Sequence, residues 1–208
     1  HLTNRRQRQM CIRDSYMIKL VMIEFKGTKS SWGLVAKLFH WSLALLLFWQ
    51  VATGISLHNM EFSPLKMGFI ITHKFFGTLV FSLVVLRLMW KYIFNTHPKY
   101  ENIPLFHKLV SNLVHFVLYG LVILIPIQGT FMTWLGGEDV HLLGLIKIPP
   151  LIEENFFLYP QALAIHYYSA LILTALFSLH IAAALYHRFM IKDKYGVWKR
   201  MSFSRHKV

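Results

Sequence analysis

Two histidines, His166 and His180, lie fourteen positions apart on one apolar stretch near the end of the chain. A helix rises about 1.5 Å per residue, so it would separate them by roughly 21 Å along its axis. At about 100° per residue, the same helix returns the second ring to within roughly 40° of the face that carries the first. Two imidazoles on one face, near opposite leaflets of a bilayer, suit the axial ligation of two stacked haems.

Two further histidines, on other apolar stretches, match these depths. His40 falls near the same membrane surface as His180, and His73 near the same surface as His166. A lone histidine in a membrane is more often a hydrogen-bonded packing residue. Four histidines in two depth-matched pairs instead favour metal ligation by all four. Bis-histidine ligation leaves haem iron no open position, so such a centre favours electron transfer over oxygen binding.

Three other side chains are candidates for contacts with a cofactor. His115 falls at a similar depth to His40 and His180, where it could replace one of them, bond a haem propionate or contact a quinone. His187 lies two turns beyond His180, at the interface, where a solvated or propionate-bonding role is favoured over ligation. Arg87 is a snorkelling cation by default and, alternatively, a partner for a propionate or a quinone.

Four apolar runs must position these side chains, and they span residues 34–57, 68–94, 108–135 and 162–188. Each is near or above the roughly 20 residues that a helix needs to cross the hydrocarbon core. With 55% hydrophobic residues among 208, the chain is too apolar for a soluble domain of this size. The sequence therefore predicts an all-α membrane protein built as a four-transmembrane-helix bundle.

We expect three regions along the chain: a basic N-terminal segment at 1–33, the dihaem transmembrane domain at 34–190 and a basic tail at 191–208. Residues 1–16 form a mostly polar run without periodicity that resembles a translated sequencing adaptor, so we expect the native start at Met17 or Met22. The alternative is a basic cytoplasmic arm. The single cysteine, Cys11, excludes disulfides and thiolate-held metal clusters within one chain.

The longest loop, 136–161, contains a largely apolar stretch with Pro149 and Pro150. A proline pair interrupts a helix, and the stretch is too short to cross the hydrocarbon core. We therefore expect a short interfacial segment here rather than a fifth span.

The distribution of Lys and Arg sets the orientation. They cluster before the first run, in the loop after the second and in the tail, whereas the opposite side has only Lys66, Lys74 and Lys147 among five acidic residues. By the positive-inside rule, both termini are cytoplasmic. The formal net charge of +13 then reflects topology and contact with anionic membrane lipid, and argues against nucleic acid as a partner. All nine acidic residues lie outside the four runs, which argues against a proton relay or a cation transporter.

Several motifs together resemble those of the bacterial cytochrome b561 family of dihaem, quinone-linked membrane cytochromes. The resemblance covers about residues 34–201 and rests on four pieces, of which each alone is weak. They are Phe39-His40-Trp41; His73-Lys74-x-x-Gly77 with Arg87; His115-x-x-x-Tyr119 with Pro126-x-x-Gly129; and His180-x-Ala-Ala-Ala-x-x-His187-Arg188 followed by Asp193 and Lys199-Arg200-Met201.

The resemblance implies a four-helix bundle with two b haems, a bacterial inner-membrane location and exchange of electrons with ubiquinone or another quinone. By the family's pattern, His73 with His166 would ligate the periplasmic haem, and His40 with His180 the cytoplasmic one. It also implies a candidate activity, superoxide oxidase, in which electrons from periplasmic superoxide reduce ubiquinone. Such an activity calls for a positive outer surface, whereas the outer loops of this chain are net acidic.

Three functions compete on this basis. The favoured one is a membrane electron carrier between a donor, either superoxide or a redox protein, and quinone; a superoxide:ubiquinone oxidoreductase is its most concrete form. The second is the cytochrome b membrane-anchor subunit of a larger oxidoreductase complex, whose partners dock on the loops. The third is a histidine-lined metal permease without haem, which predicts no visible absorbance and is disfavoured by the lack of acidic residues in the four runs.

Overall fold

The computed structural model describes residues 25–28, 31–94 and 103–203. These contain four long helices: α1 (Leu34–Asn59), α2 (Pro64–Ile93), α3 (Leu105–Leu135) and α4 (Tyr159–Phe189). Each is long and apolar enough to cross a membrane, which confirms the predicted four-helix architecture. The expectations for residues 1–16, for the native start and for Cys11 fall outside the described residues.

Three helices begin three or four residues before their apolar runs, and for α2 and α4 a proline in the first turn accounts for this. The Ser63 hydroxyl accepts a hydrogen bond from the Lys66 N–H at 3.2 Å, and Pro64 occupies the first turn of α2, where a missing N–H is tolerated. Thus α2 begins at Pro64 rather than at residue 68. Pro160 lies in the first turn of α4 in the same way. Pro126 lies inside α3 without ending it, as membrane helices allow when neighbours satisfy the freed carbonyl.

The helix ends gather on two sides of the bundle. The start of α1, the end of α2, the start of α3 and the end of α4 form what we call the terminal side, and the opposite side is the hairpin side. Helix α1 packs against α2, α2 against α3, and α3 against α4. All four helices contribute to a small buried core of Leu43, Val80, Val84, Val122 and Leu173. Most other large apolar side chains are exposed on the outside of the bundle, as lipid contact requires.

A short β-hairpin follows α3, with antiparallel strands β1 (Val140–Leu142) and β2 (Ile146–Ile148). Leu143 and Gly144 in its turn both have positive φ, 53° and 68°, which matches the twist of a tight hairpin. This is the point where the predicted all-α class and the structure differ. The strand pairing is not evident from the sequence, because a Leu-Gly turn lacks the usual Asn-Gly or Asp-Gly signal.

The hairpin rests on α2. The Leu143 N–H donates a hydrogen bond to Thr78 Oγ1 at 3.1 Å, and Glu138, just before the hairpin, forms an ion pair with Lys74. These contacts hold the hairpin against the first half of α2, which also carries His73.

A fifth, short helix, α5 (Val197–Met201), returns to the terminal side. Asp193 is 4% exposed, and its carboxylate accepts hydrogen bonds from the N–H groups of Trp198 and Lys199, at 2.9 Å each. Trp41 Nε1 donates to the Met201 carbonyl at 3.1 Å. The described part of the tail is therefore folded against the start of α1, beside His40.

Candidate functional site

The hairpin side brings together His73 from α2 and His166 from α4. Their ring centroids lie 6.3 Å apart, with an angle of 79° between the ring planes. Both side chains are partly buried between the helices. Two histidines that are 93 positions apart in the chain thus face each other across the bundle.

A hydrogen-bond network fixes the His73 ring. The Thr53 hydroxyl has one proton, and it lies 2.8 Å from the Trp49 carbonyl, to which it donates. It therefore accepts the hydrogen bond from His73 Nδ1, at 2.9 Å. This pattern assigns the proton to Nδ1 and leaves Nε2 as the unprotonated nitrogen, which is the form that binds a metal. Gln50 supports the same turn of α2, because its amide donates to the His73 carbonyl at 3.1 Å.

A glycine makes room for the partner ring. A Cβ added to Gly129 in α3 would lie 3.2 Å from His166 Cε1 and 3.6 Å from Nδ1, so a side chain there would press on the imidazole. His166 Nδ1 is buried and has no hydrogen-bond partner in the described part of the chain. The close approach of α3 to His166 therefore depends on the lack of a side chain at residue 129.

The terminal side brings together three histidines from three helices. The ring centroids of His40 in α1 and His180 in α4 lie 6.4 Å apart, at an angle of 74°. His115 in α3 lies closer to His180, with a centroid distance of 5.2 Å and an angle of 83°. His40 and His180 are partly buried, whereas His115 is more exposed. The predicted similarity of depth among these three residues is therefore seen in the structure.

His115 is tied to its own helix. Its Nδ1 lies 2.6 Å from the Ser111 carbonyl, which can only accept, so the ring donates this hydrogen bond. The Ser111 hydroxyl lies 3.3 Å from the same nitrogen. The hydrogen bond holds the ring against the previous turn of α3.

Two cations of α2 lie near the terminal-side histidines. Arg87 Nε donates to the Tyr119 hydroxyl at 2.9 Å, and the Lys91 ammonium lies 5.1 Å from the centre of the Tyr119 ring. Tyr119 lies one helical turn from His115. Arg87 was predicted from the sequence as a contact for a cofactor, whereas Lys91 was missed, although it lies one helical turn from Arg87 on the same helix.

His187 lies apart from this cluster, nearer the end of α4. Its ring contacts those of His107 and Tyr195, with centroid distances of 6.3 and 6.1 Å. His187 Nδ1 is buried and has no hydrogen-bond partner among the described residues. The structure thus separates His187 from the histidine pairs, as the two-turn spacing from His180 predicts.

Residues 31–203 match the family model of the prokaryotic cytochrome b561. The chain belongs to the prokaryotic cytochrome b561 family. It is also similar to "Cytochrome b561 homolog 2" of Escherichia coli (strain K12), with 23% identity over 178 residues that cover 82% of this chain and 92% of the relative. Membership of the cytochrome b561 family makes this a membrane electron-transfer protein that uses b-type haem.

The two histidine pairs fit such a cofactor. An imidazole nitrogen binds a metal at about 2.0–2.1 Å, so rings on opposite sides of one metal atom have centroids roughly 6 Å apart. The His73–His166 and His40–His180 distances of 6.3 and 6.4 Å agree with this value, and the 5.2 Å between His115 and His180 does not. No group of three or more His, Cys, Asp or Glu side chains in the described ranges could hold a metal ion. A haem needs only two protein ligands, because its macrocycle supplies the others.

One residue that supports the cytochrome b561 site was missed by sequence reasoning. Thr53 is 2% exposed and fixes the His73 ring, yet a threonine in an apolar run gives no distinct signal. The role of Thr53 becomes evident only once the packing of α1 against α2 is known to place it beside His73. Gln50, three positions earlier on α1, likewise has no role that the sequence alone indicates.

Proposed function

We propose that this cytochrome b561 family member carries single electrons across a bacterial inner membrane through two b haems, each held by two histidines. His73 with His166 would hold the haem on the hairpin side, and His40 with His180 the haem on the terminal side. The observation that carries the proposal is the recurrence of one ring-to-ring spacing, 6.3 and 6.4 Å, at two levels of the bundle. When bound, the iron supplies a one-electron couple without an open coordination position.

The protein residues have separate parts in this function. The Thr53 hydroxyl keeps the proton of His73 on Nδ1, so that Nε2 is available as a ligand. Gly129 leaves space for the His166 ring. Arg87 is available to a propionate or to a quinone, since no carboxylate among the described residues pairs with it. His115 and His187, which lie outside the pairs, are further candidates for these polar contacts.

The orientation forms part of the proposal. Lys and Arg gather on the terminal side of the chain, so by the positive-inside rule both termini are cytoplasmic and the hairpin faces the periplasm. Electrons would then enter from a periplasmic or membrane donor and leave to ubiquinone or another quinone. Superoxide has weaker support as the donor, because Lys74 and Lys147 on the hairpin side each pair with an acidic residue and attract an anion less strongly.

A second candidate function is that of a cytochrome b anchor subunit. The hairpin-side loops expose large apolar side chains, among them Leu145, Leu151, Phe156 and Phe157. Such exposed residues favour contact with lipid or with a docked subunit. An isolated cytochrome that reduces no acceptor alone but co-purifies with other subunits would favour the anchor function.

The proposed function is tested by the purified protein, reduced without oxygen and then mixed with a short-chain ubiquinone. We expect the haem absorption of the reduced protein to return to that of the oxidised form, with quinol formed in proportion to the electrons lost. Superoxide, supplied to the oxidised protein, serves as a second arm that tests the donor. A protein without visible absorbance would support the permease instead, and haem that stays reduced in the presence of quinone would contradict the proposed acceptor.

A further inference from the structure

The two histidine pairs differ in the charge around them. On the terminal side, Arg87 and Lys91 both contact Tyr119. Tyr119 lies one helical turn from His115, whose ring centroid is 5.2 Å from that of His180. On the hairpin side, the nearest cation along the chain is Lys74, which follows His73 directly and pairs with Glu138. Among the described residues, no carboxylate pairs with these two cations on the terminal side, whereas Lys74 beside His73 pairs with Glu138.

The other charged residues differ between the two sides in the same direction. Within the described ranges, both ion pairs between side chains, Lys74–Glu138 and Lys147–Asp139, lie on the hairpin side. Asp193 is the one acidic residue that the described part of the chain has on the terminal side. Its carboxylate is occupied by the N–H groups of Trp198 and Lys199 at the start of α5. No carboxylate described by the structure therefore neutralises Arg87 or Lys91.

An added electron is more stable beside positive charge, and the effect is stronger where the charges are partly buried than in water. Arg87 and Lys91 are both partly buried. Two identical haems would bring identical charges to both sides, so a difference between them has to come from the protein. Helix dipoles do not change this comparison, because their effect falls off within the first or last turn and all four histidines lie deeper than that.

We infer that Arg87 and Lys91 make the terminal-side pair, His40 and His180, the centre with the higher reduction potential, so that electrons run from the hairpin side to the terminal side. This inference rests on the proposed function, because it needs a haem at each pair. It assigns Arg87 and Lys91 as residues that set the direction of transfer. In the proposed orientation, electrons then move from the periplasmic to the cytoplasmic half of the membrane.

The test is an equilibrium redox titration of the purified holoprotein, followed by the haem absorption. His166→Ala leaves the terminal-side centre, and His40→Ala leaves the hairpin-side centre, so each variant identifies one step of the wild-type titration. We expect the step that remains in His166→Ala to lie higher. If an electron prefers the terminal-side centre by tenfold, the reduction potential of that centre is higher by about 59 mV.

Substitution then tests the cause. Arg87→Gln should lower the terminal-side step and leave the hairpin-side step unchanged, whereas Arg87→Lys, which keeps the charge, should restore most of the difference. Lys91→Gln should lower the same step by a smaller amount and serves if Arg87→Gln fails to fold. The matched control is Lys66→Gln, which removes one positive charge on the hairpin side, where Lys66 bonds to the Met60 carbonyl, and should shift neither step appreciably.

The outcomes separate the inference from the proposed function. Two haems with the hairpin-side step equal to or above the terminal-side step would overturn the inference and leave the proposed function intact. The same holds if Arg87→Gln and Lys91→Gln both leave the terminal-side step in place. A preparation with fewer than two haems per chain would instead overturn the proposed function on which the inference rests.

Discussion

The hairpin side and the terminal side hold histidine pairs of nearly equal spacing in different surroundings. On the hairpin side, Thr53 bonds the His73 ring and the missing side chain of Gly129 admits His166. On the terminal side, His115 lies beside the His40–His180 pair, two cations contact Tyr119 one turn from His115, and the tail folds beside His40. The comparison teaches that nearly the same ring spacing occurs once among close-fitting neighbours and once near two cations that no described carboxylate neutralises.

The strongest test of the comparison is to remove one ligand from each side. His73→Ala and His40→Ala should each lose one of the two haems, so the haem content per chain should fall by about half in either variant. The physical reason is that a site built for two imidazole ligands binds haem much more weakly when only one of them remains. Haem content is measured by absorption of the reduced protein against protein concentration. Loss of both haems from either variant would show that the two levels do not bind independently.

A large effect is also expected at the hairpin-side pair alone, where Gly129 lies against the His166 ring. Gly129→Val adds a branched side chain where even a Cβ lies 3.2 Å from the His166 ring, so the ring has to move. We expect the hairpin-side haem to be lost in most chains and the terminal-side haem to remain. Gly120→Val is the matched control on the same helix, because nothing lies within 4 Å of a Cβ added there. Equal haem loss in both variants would contradict the role given to Gly129.

A moderate effect is expected from the hydrogen bond to His73. Thr53→Val keeps the shape of the side chain but removes the acceptor for Nδ1, so the ring loses its fixed tautomer and orientation. Second-layer partners of metal-bound histidines change affinity by about 10- to 100-fold, and a similar weakening of the hairpin-side haem is expected in a haem-transfer assay. Thr174→Val controls for the change of residue, since the Thr174 hydroxyl bonds only to its own helix, at the Ala170 carbonyl. An unchanged rate of haem transfer in Thr53→Val would show that the bond is incidental.

The smallest effect is expected at the third histidine. His115→Ala should retain both haems, because the ring is bonded to the Ser111 carbonyl and lies too close to His180 for ligation on opposite sides of one metal. Unchanged haem content with an altered rate of quinone reduction would indicate a contact with the quinone. Loss of the terminal-side haem would instead make His115 a ligand in place of His40.

Much of this arrangement can be predicted from the sequence, since long apolar runs and histidine depth follow from the periodicity and length of helices. That reasoning places His166 and His180 on one face of α4 and matches their depths to His73 and His40. It does not predict the hairpin after α3, where a Leu-Gly turn has no strong signal, or the role of Thr53. These features depend on which faces of α1 and α2 meet, and a single sequence does not specify that contact.

The most direct test is the number of b haems per chain in the purified wild-type protein, counted from the reduced-minus-oxidised spectrum and from total iron. If each histidine pair ligates one iron, we expect two low-spin haems per chain. One haem per chain would show that the equal spacing of the two pairs does not mark two equal sites. A colourless protein would contradict haem ligation at both levels.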